Sequence, residues 1–563
     1  MVSWITDPFS IPLYFIFMSI FVVVGQFISR ASPVFYPRQN SKFNCSLEGL
    51  RGFLALSVFF AHSARHYTFR QTAQWLPPPV DFFDLLGSNS VALFFFLSGF
   101  LFWKKLIEFH GNLNWKTFFM GRVSRILPAG WFSVAILILV ILIQSDFEIR
   151  VPLKEFLNSI ISWLCFKPAG INTFQNTYVV NAGVFWTLRI EWLFYLILPF
   201  LSSFSRKNRS ILIVVGVWIL HEWLARTDLA SSISSGVMRN YAQNLINLMY
   251  HIRYGFGWGM IAAWLTAVFP SASFLKSRVA SILAIILLGL CQSNYFSLPY
   301  QRIFLFCFFI ILVYGNNLFG ILTSKSALFL GKISYSIYLF HGLILWVTRA
   351  YGGKDPAHHW IYTGFVGLLT LVIAALIYRY VEYPFSAGYS INPQSQKDLN
   401  LPRSKFSSEL LIFSLLIVGI FASLFLVDFK PAHIRPREVV SFNDTRIKYI
   451  SWGAAEDTHR WSLGKRAIIS FKLKDINEPL AGEIVMGCGS LGKQRIIASL
   501  NGTKIYEGTL DTTQNILTMK FDPELLVFKG DENKLEFILP DAHLPSNGDI
   551  RKLAILLNSF VVK

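Results

Sequence analysis

Two ionisable side chains, Arg51 and His62, interrupt the apolar run "SLEGLRGFLALSVFFAHSARHY" (residues 46–67), which also holds Glu48 and His66. Eleven helical steps of 100° return to within about 20° of the same face while rising about 16 Å, so the pair lines one wall at two depths. Each residue type brings its own chemistry. A guanidinium fork matches phosphate oxygens. A neutral imidazole near a hydroxyl accepts its proton, or takes an acyl group itself. Each also has a plainer reading: Arg51 as an anchor whose head reaches the membrane surface, His62 as a hydrogen-bonded structural residue.

The elements that must position them are membrane helices. Of 563 residues, 53% are hydrophobic and 16% aromatic, and the mean hydropathy is +0.48, a balance that water-soluble globular chains do not keep. Apolar runs of about 20 residues, enough to cross about 30 Å of hydrocarbon, fall at approximately 11–29, 47–65, 88–106, 126–144, 190–206, 209–226, 245–269, 277–295, 302–319, 327–349, 360–381 and 408–428. The fold expected is an all-α polytopic transmembrane bundle of about 12 helices followed by an all-β sandwich. Residues 155–166 are too short to span and belong at the interface. The segment at 11–28 lacks a basic flank and a small-residue cleavage site, so it reads as a retained helix and not a signal peptide.

The net charge of +19 is a topology signal and not a nucleic-acid one. Lys104, Lys105, Lys116, Arg122 and Arg125 share one connector, Arg30, Arg38 and Lys42 another, and 206–209 reads "RKNR"; such connectors face the cytoplasm. Both termini then face outward. The five cysteines form no C-x-x-C pair, which signals neither a zinc site nor a disulfide framework, and no metal is expected.

Six segments in order carry a resemblance. They are R-x10-H at Arg51 and His62, "GSNSVALFFFLSGFLFW" (87–103), "GRVSRILP" (121–128), "FWTLRIEWLFYLILP" (185–199), "GKISYSIYLFHG" (331–342) and "YVEYP" (380–384). Together they resemble the membrane acyltransferase-3 family over residues 45–385. The resemblance implies transfer of an acyl group, usually acetyl from cytoplasmic acetyl-CoA, to a hydroxyl of an extracytoplasmic glycan. It makes His62 the candidate general base, with an acyl-histidine relay as the alternative. Arg51, Arg122 and Arg125 become donor-phosphate ligands, against the plain positive-inside reading of the last two. Glu191 is placed at the start of its helix near the outer surface, either orienting an acceptor hydroxyl, pairing with Arg189 or a histidine, or serving the helix dipole. His341, among aromatics, is the second histidine of the site. Glu382 is expected to pair with Arg379, and Ser98-Gly99 to permit close helix approach.

By this reading residues 1–44 are an added helix and cytoplasmic connector, 386–429 a connector and final helix, and 430–563 an extracytoplasmic, jelly-roll-like β domain. Short alternating runs such as "RAIISFKL" and "TKIYEGTL" supply its strands, and Asn501-Gly502 marks a hairpin turn. Family members often carry an SGNH hydrolase-like domain there; this stretch has no G-D-S block and no D-x-x-H. Trp452, Trp461, Asn501 and Tyr506 are candidates for touching sugar, Trp461 equally for the core.

The function expected is O-acyl transfer from acyl-CoA to a cell-surface polysaccharide, such as lipopolysaccharide O-antigen. The setting is the inner membrane with a periplasmic C-terminal domain, and the partners are acyl-CoA, a glycan or lipid-linked acceptor and the bilayer, without nucleic acid. A transporter or flippase of a lipid-linked glycan, and a non-catalytic glycan-binding scaffold, are the alternatives. Acyl length, acceptor sugar and oligomeric state are not written in the sequence.

Overall fold

A computed structural model describes residues 3–30, 45–205, 248–387 and 434–563, with short loop gaps, and a few positions between 212 and 246. The chain divides into two compact units, Met1–Phe425 and Leu426–Lys563.

The first unit is helical. Its principal helices are α1 (Ile11–Ser29), α2 (Cys45–Thr72), α3 (Asp81–Glu108), α4 (Trp115–Gln144), α5 (Leu153–Leu164), α6 (Phe185–Leu201), α7 (Gly257–Val268), α8 (Arg278–Cys291), α9 (Leu298–Val313), α10 (Lys325–Val347) and α11 (His359–Ile377). Polar side chains start several of them, as unsatisfied first-turn N–H groups require. Asn114 accepts from Thr117 N at 3.0 Å, Ser277 from Ala280 N at 3.1 Å and Ser324 from Ala327 N at 3.2 Å.

Among the described residues, five helices are long and apolar enough to cross a membrane: α1, α3, α4, α10 and the continuous stretch Pro356–Ser386 that contains α11. The expected crossing at 408–428 lies outside the described residues, as does most of 209–226. The segment expected at the interface is the 12-residue α5. Helix α2 is 28 residues long but falls outside the five, because its charged and imidazole groups lower its hydropathy. It needs little lipid-facing surface, since most of its residues are buried by neighbouring helices.

Helix α10 is the centre of this unit, buried along almost its whole length and packed on α1, α2, α4 and α11. Two close crossings hold the bundle, and both demand glycine. At α2 and α10, a Cβ on Gly331 would lie 2.1 Å from the Glu48 carbonyl oxygen. Where α3 meets α7, a Cβ on Gly99 would lie 2.1 Å from Phe256 O, and one on Gly259 2.0 Å from Phe96 O. Small residues admit such backbone approach where lipid offers no hydrophobic drive. Two stretches are wound as π-helix, Ile252–Phe256 leading into α7 and Tyr378–Glu382 following α11.

The second unit has two five-stranded antiparallel sheets, one ordered β1-β10-β5-β8 with β3 also on β10, the other β2-β4-β9-β6-β7. Here β1 is Val440–Ser441, β2 Lys448–Ile450, β3 Arg460–Leu463, β4 Arg466–Phe471, β5 Glu483–Ser490, β6 Gln494–Leu500, β7 Thr503–Leu510, β8 Ile516–Lys520, β9 Asn533–Ile538 and β10 Leu553–Val562. Inward residues of both sheets, among them Ile469, Phe537, Met486 and Phe560, form one core. The turn between β6 and β7 is Asn501-Gly502, both at positive φ (49° and 87°), as a two-residue hairpin of this hand requires. Two candidate sugar contacts are corrected. Trp452 is in the core, and the Asn501 amide is consumed by Leu525 O, Asn533 Oδ1 and Lys534 N, fixing the turn.

Candidate active site

The expected same-face pair on α2 opens onto two cavities. Arg51 lines one of about 110 Å³, together with Arg122 and Arg125 of α4, Glu191 and Tyr195 of α6, Ser98 of α3, and Tyr335 and Tyr338 of α10. His62 lines another of about 340 Å³. The two share Val91, Phe95 and Tyr338 in their walls. Tyr338 is fixed there by a 2.7 Å hydrogen bond between its hydroxyl and Thr187 Oγ1.

Three guanidinium groups and one carboxylate around the smaller cavity leave it cationic. Arg51 lies within electrostatic reach of Arg125, Glu48 and Glu191, and its Nε has no hydrogen-bond partner among the described residues. Arg122 packs its planar head over the Phe102 ring, 5.1 Å from the centroid. Planar forks held against aromatic walls in a confined space suit a polyanion.

Glu191 is not where the sequence placed it. Helix α6 begins at Phe185, five residues before the expected start, so Glu191 is well inside the helix and past its first turn. It sits with the arginines and not with the histidines, accepting hydrogen bonds from Ser98 Oγ at 3.0 Å and from the Tyr195 hydroxyl. Ser98 therefore does more than admit close packing. Glu382 is also corrected: the π-helical turn brings it to Ser336 of α10, which donates to it. It lies within electrostatic reach of Arg125 and Arg51, while Arg379 rests over Tyr380.

At the other depth, His62 Nδ1 and His341 Nε2 are 2.7 Å apart. His341 Nδ1 is 2.9 Å from the Ile337 carbonyl oxygen. A carbonyl only accepts, so Nδ1 of a neutral His341 carries the proton and its Nε2 the lone pair. That nitrogen must then receive the Nδ1 proton of His62. The remaining His62 nitrogen, Nε2, is left unprotonated, the tautomer a general base needs. His341 is fully buried and lines neither cavity, so its part is to position His62.

The larger cavity also presents residues to which sequence reasoning gave no role: Arg65, Asp84, Trp186, Tyr250, His251, Tyr254 and Arg302. Arg65 and Asp84 pair at 2.6 Å across α2 and α3. The Trp186 and His251 rings lie 5.2 Å apart. Trp186 sits inside a recognised segment, where its neighbours could have drawn attention. His251 and Arg302 belong to no such segment, and the π-helical turn after His251 breaks the periodicity that would place it. His66, one turn beyond His62, is fully buried, with the Trp75 ring 5.0 Å away, and lines neither cavity.

A family model described as "Acyltransferase domain" (acyltransferase 3) matches residues 44–379. A Staphylococcus aureus (strain MRSA252) protein, provisionally named an O-acetyltransferase, is 26% identical over 412 residues, 67% of this chain and 63% of that protein. An Acidianus two-tailed virus protein, provisionally named an acetyltransferase, is 26% identical over 59% of this chain and 95% of its own. Nodulation protein 10 of Rhizobium leguminosarum bv. viciae is 25% identical over 60% of this chain and 91% of its own. No solved structure matches. With more than half its length matched by the family model, and five of the six segments supplying residues to the walls of these two cavities, the chain belongs to the acyltransferase-3 domain family.

Proposed function

We propose that this protein is a membrane O-acyltransferase that moves an acyl group, acetyl in the simplest case, from cytoplasmic acyl-CoA to a hydroxyl of a cell-surface polysaccharide such as lipopolysaccharide O-antigen. One observation carries the reading: a single helix presents an arginine to a cationic cavity and a histidine to a second cavity, and the two cavities share a wall. Arg51, Arg122 and Arg125 hold the donor phosphates, with Glu191 buttressing the cluster. The thioester reaches the shared wall at Val91, Phe95 and Tyr338.

His62 Nε2 takes the proton of the acceptor hydroxyl as its oxygen bonds to the acyl carbon. The carbon–sulfur bond then breaks, and the proton passes from His62 to the departing thiolate. No net proton is gained or lost, and a positioned base of this kind contributes about 10²- to 10⁴-fold in rate. About twelve crossings in the inner membrane, with basic connectors inside and the β unit outside, complete the proposal.

The test follows radiolabel from [acetyl]-CoA into envelope polysaccharide at matched membrane abundance. Wild type is expected to label it and His62→Ala to lose the label with the fold intact. Labelling by His62→Ala at the wild-type rate refutes the role of His62. Absence of label in both, across acyl donors, refutes the transfer.

A further inference from the structure

The larger cavity contains a cation that the transfer described above does not use. Arg302, on the first turns of α9, is 7% exposed and lines the same space as His62. Its Nη1 donates to Asn89 Oδ1 at 2.8 Å, and Asn89, itself held through its Nδ2 to Cys291 O at 2.8 Å, fixes the guanidinium in place. Its Nε has no hydrogen-bond partner among the described residues. Asp84 is the carboxylate in the cavity wall among the described residues, and it is engaged by Arg65. The wall therefore carries one guanidinium in excess.

A buried, preoriented guanidinium without an acid is costly unless a ligand supplies one. Phosphates of the donor already have a cationic cavity at the other end of the site. On the acceptor side stand Trp186, Tyr250 and His251, flat rings with polar edges of the kind that pack on a sugar face. We propose that Arg302 binds an acidic group of the acceptor, so that the saccharide presented to His62 is anionic, a carboxylate-bearing or phosphate-bearing sugar. This rests on the acyl-transfer reading for the word acceptor, and on the cavity alone for the anion.

The experiment is calorimetric titration of the full-length protein in detergent, without acetyl-CoA, using glucuronate, glucose 1-phosphate and glucose as probes. One acidic sugar is expected to bind about tenfold or more tighter than glucose, from a charge-assisted fork; which one it is separates a carboxylate from a phosphate acceptor. Arg302→Gln should bring the ratio to about one with glucose affinity unchanged. Arg302→Lys, which keeps the charge but loses the fork, should lower it about threefold or more, and decides the matter if Arg302→Gln does not fold.

Equal binding of acidic and neutral sugars, no binding of any probe, or a preference that survives these substitutions overturns the proposal. So does weaker coenzyme A binding in Arg302→Gln with acidic-sugar affinity intact, which would assign the residue to the donor. The titration reads binding and not transfer. A protein that passes it while failing to label polysaccharide keeps the anion site and loses the acyltransferase reading, and the converse holds equally.

Discussion

Replacing His341 separates positioning from catalysis. In His341→Ala the acceptor for His62 Nδ1, now at 2.7 Å, is gone, and with it the chain to Ile337 O that selects the tautomer. Free imidazole divides between its two tautomers, so tautomer choice alone costs only a few-fold. The larger loss is orientation: one hydrogen bond of about 1 kcal/mol net no longer holds the ring, and small misplacements of reacting groups cost up to about 10²-fold. The expected fall in kcat is therefore about 10- to 100-fold, smaller than the 10²- to 10⁴-fold expected for His62→Ala. KM for acetyl-CoA should stay the same, because His341 touches neither cavity.

His341→Gln, whose amide oxygen can still accept from His62 Nδ1, should recover most of the rate. The assay is steady-state acetyl transfer by purified protein over a range of acetyl-CoA concentrations, with a thermal melt on each variant. The melt matters because emptying a fully buried site costs about 2–5 kcal/mol of stability. An unchanged kcat in a folded His341→Ala, or a rise in KM for acetyl-CoA at constant kcat, would refute the wiring argued here.

Other outcomes follow from the same geometry. Arg122→Ala and Arg125→Ala should each raise KM for acetyl-CoA about tenfold or more at nearly constant kcat, since on the proposed donor binding each would remove a charge-assisted contact of about 1.5–3 kcal/mol; steady-state kinetics checks this, and a pure kcat effect contradicts donor binding. Gly99→Val places a side chain 2.1 Å from Phe256 O, and should abolish recovery of monodisperse protein by size-exclusion chromatography. Asn501→Ala removes two amide donations and the acceptance from Lys534 N, and should lower the stability of the β unit by about 1–3 kcal/mol, seen as an earlier melt of the full chain with transfer retained.

What the sequence made legible was what periodicity and local chemistry control. The 11–29, 88–106 and 327–349 runs correspond to α1, α3 and α10, and the turn at Asn501-Gly502 is dictated by two residues that tolerate positive φ. The depth separation of Arg51 from His62 followed from helix geometry alone. Partnerships across helices were not legible. Helix α6 begins before the expected boundary, which moved Glu191 from a helix start to the arginine cavity, and the tie between His62 and His341 joins residues 279 apart in the chain. His251 and Arg302 reach the larger cavity through a π-helical turn and a polar helix start that hydropathy does not register.

The wall of Val91, Phe95 and Tyr338 has a bearing on bioenergetics. On the proposed topology the two cavities open to opposite sides of an energised membrane, where each elementary charge that crosses dissipates about 2.3 kcal/mol per 100 mV. On the same proposal a valine, a phenylalanine and a tyrosine whose hydroxyl is engaged by Thr187 would form a thin electrical insulator between them. The acyl-bearing arm must therefore act as its own stopper while it reaches across, and a variant such as Val91→Gly would trade insulation for passage, leaking protons even when no acyl group is transferred.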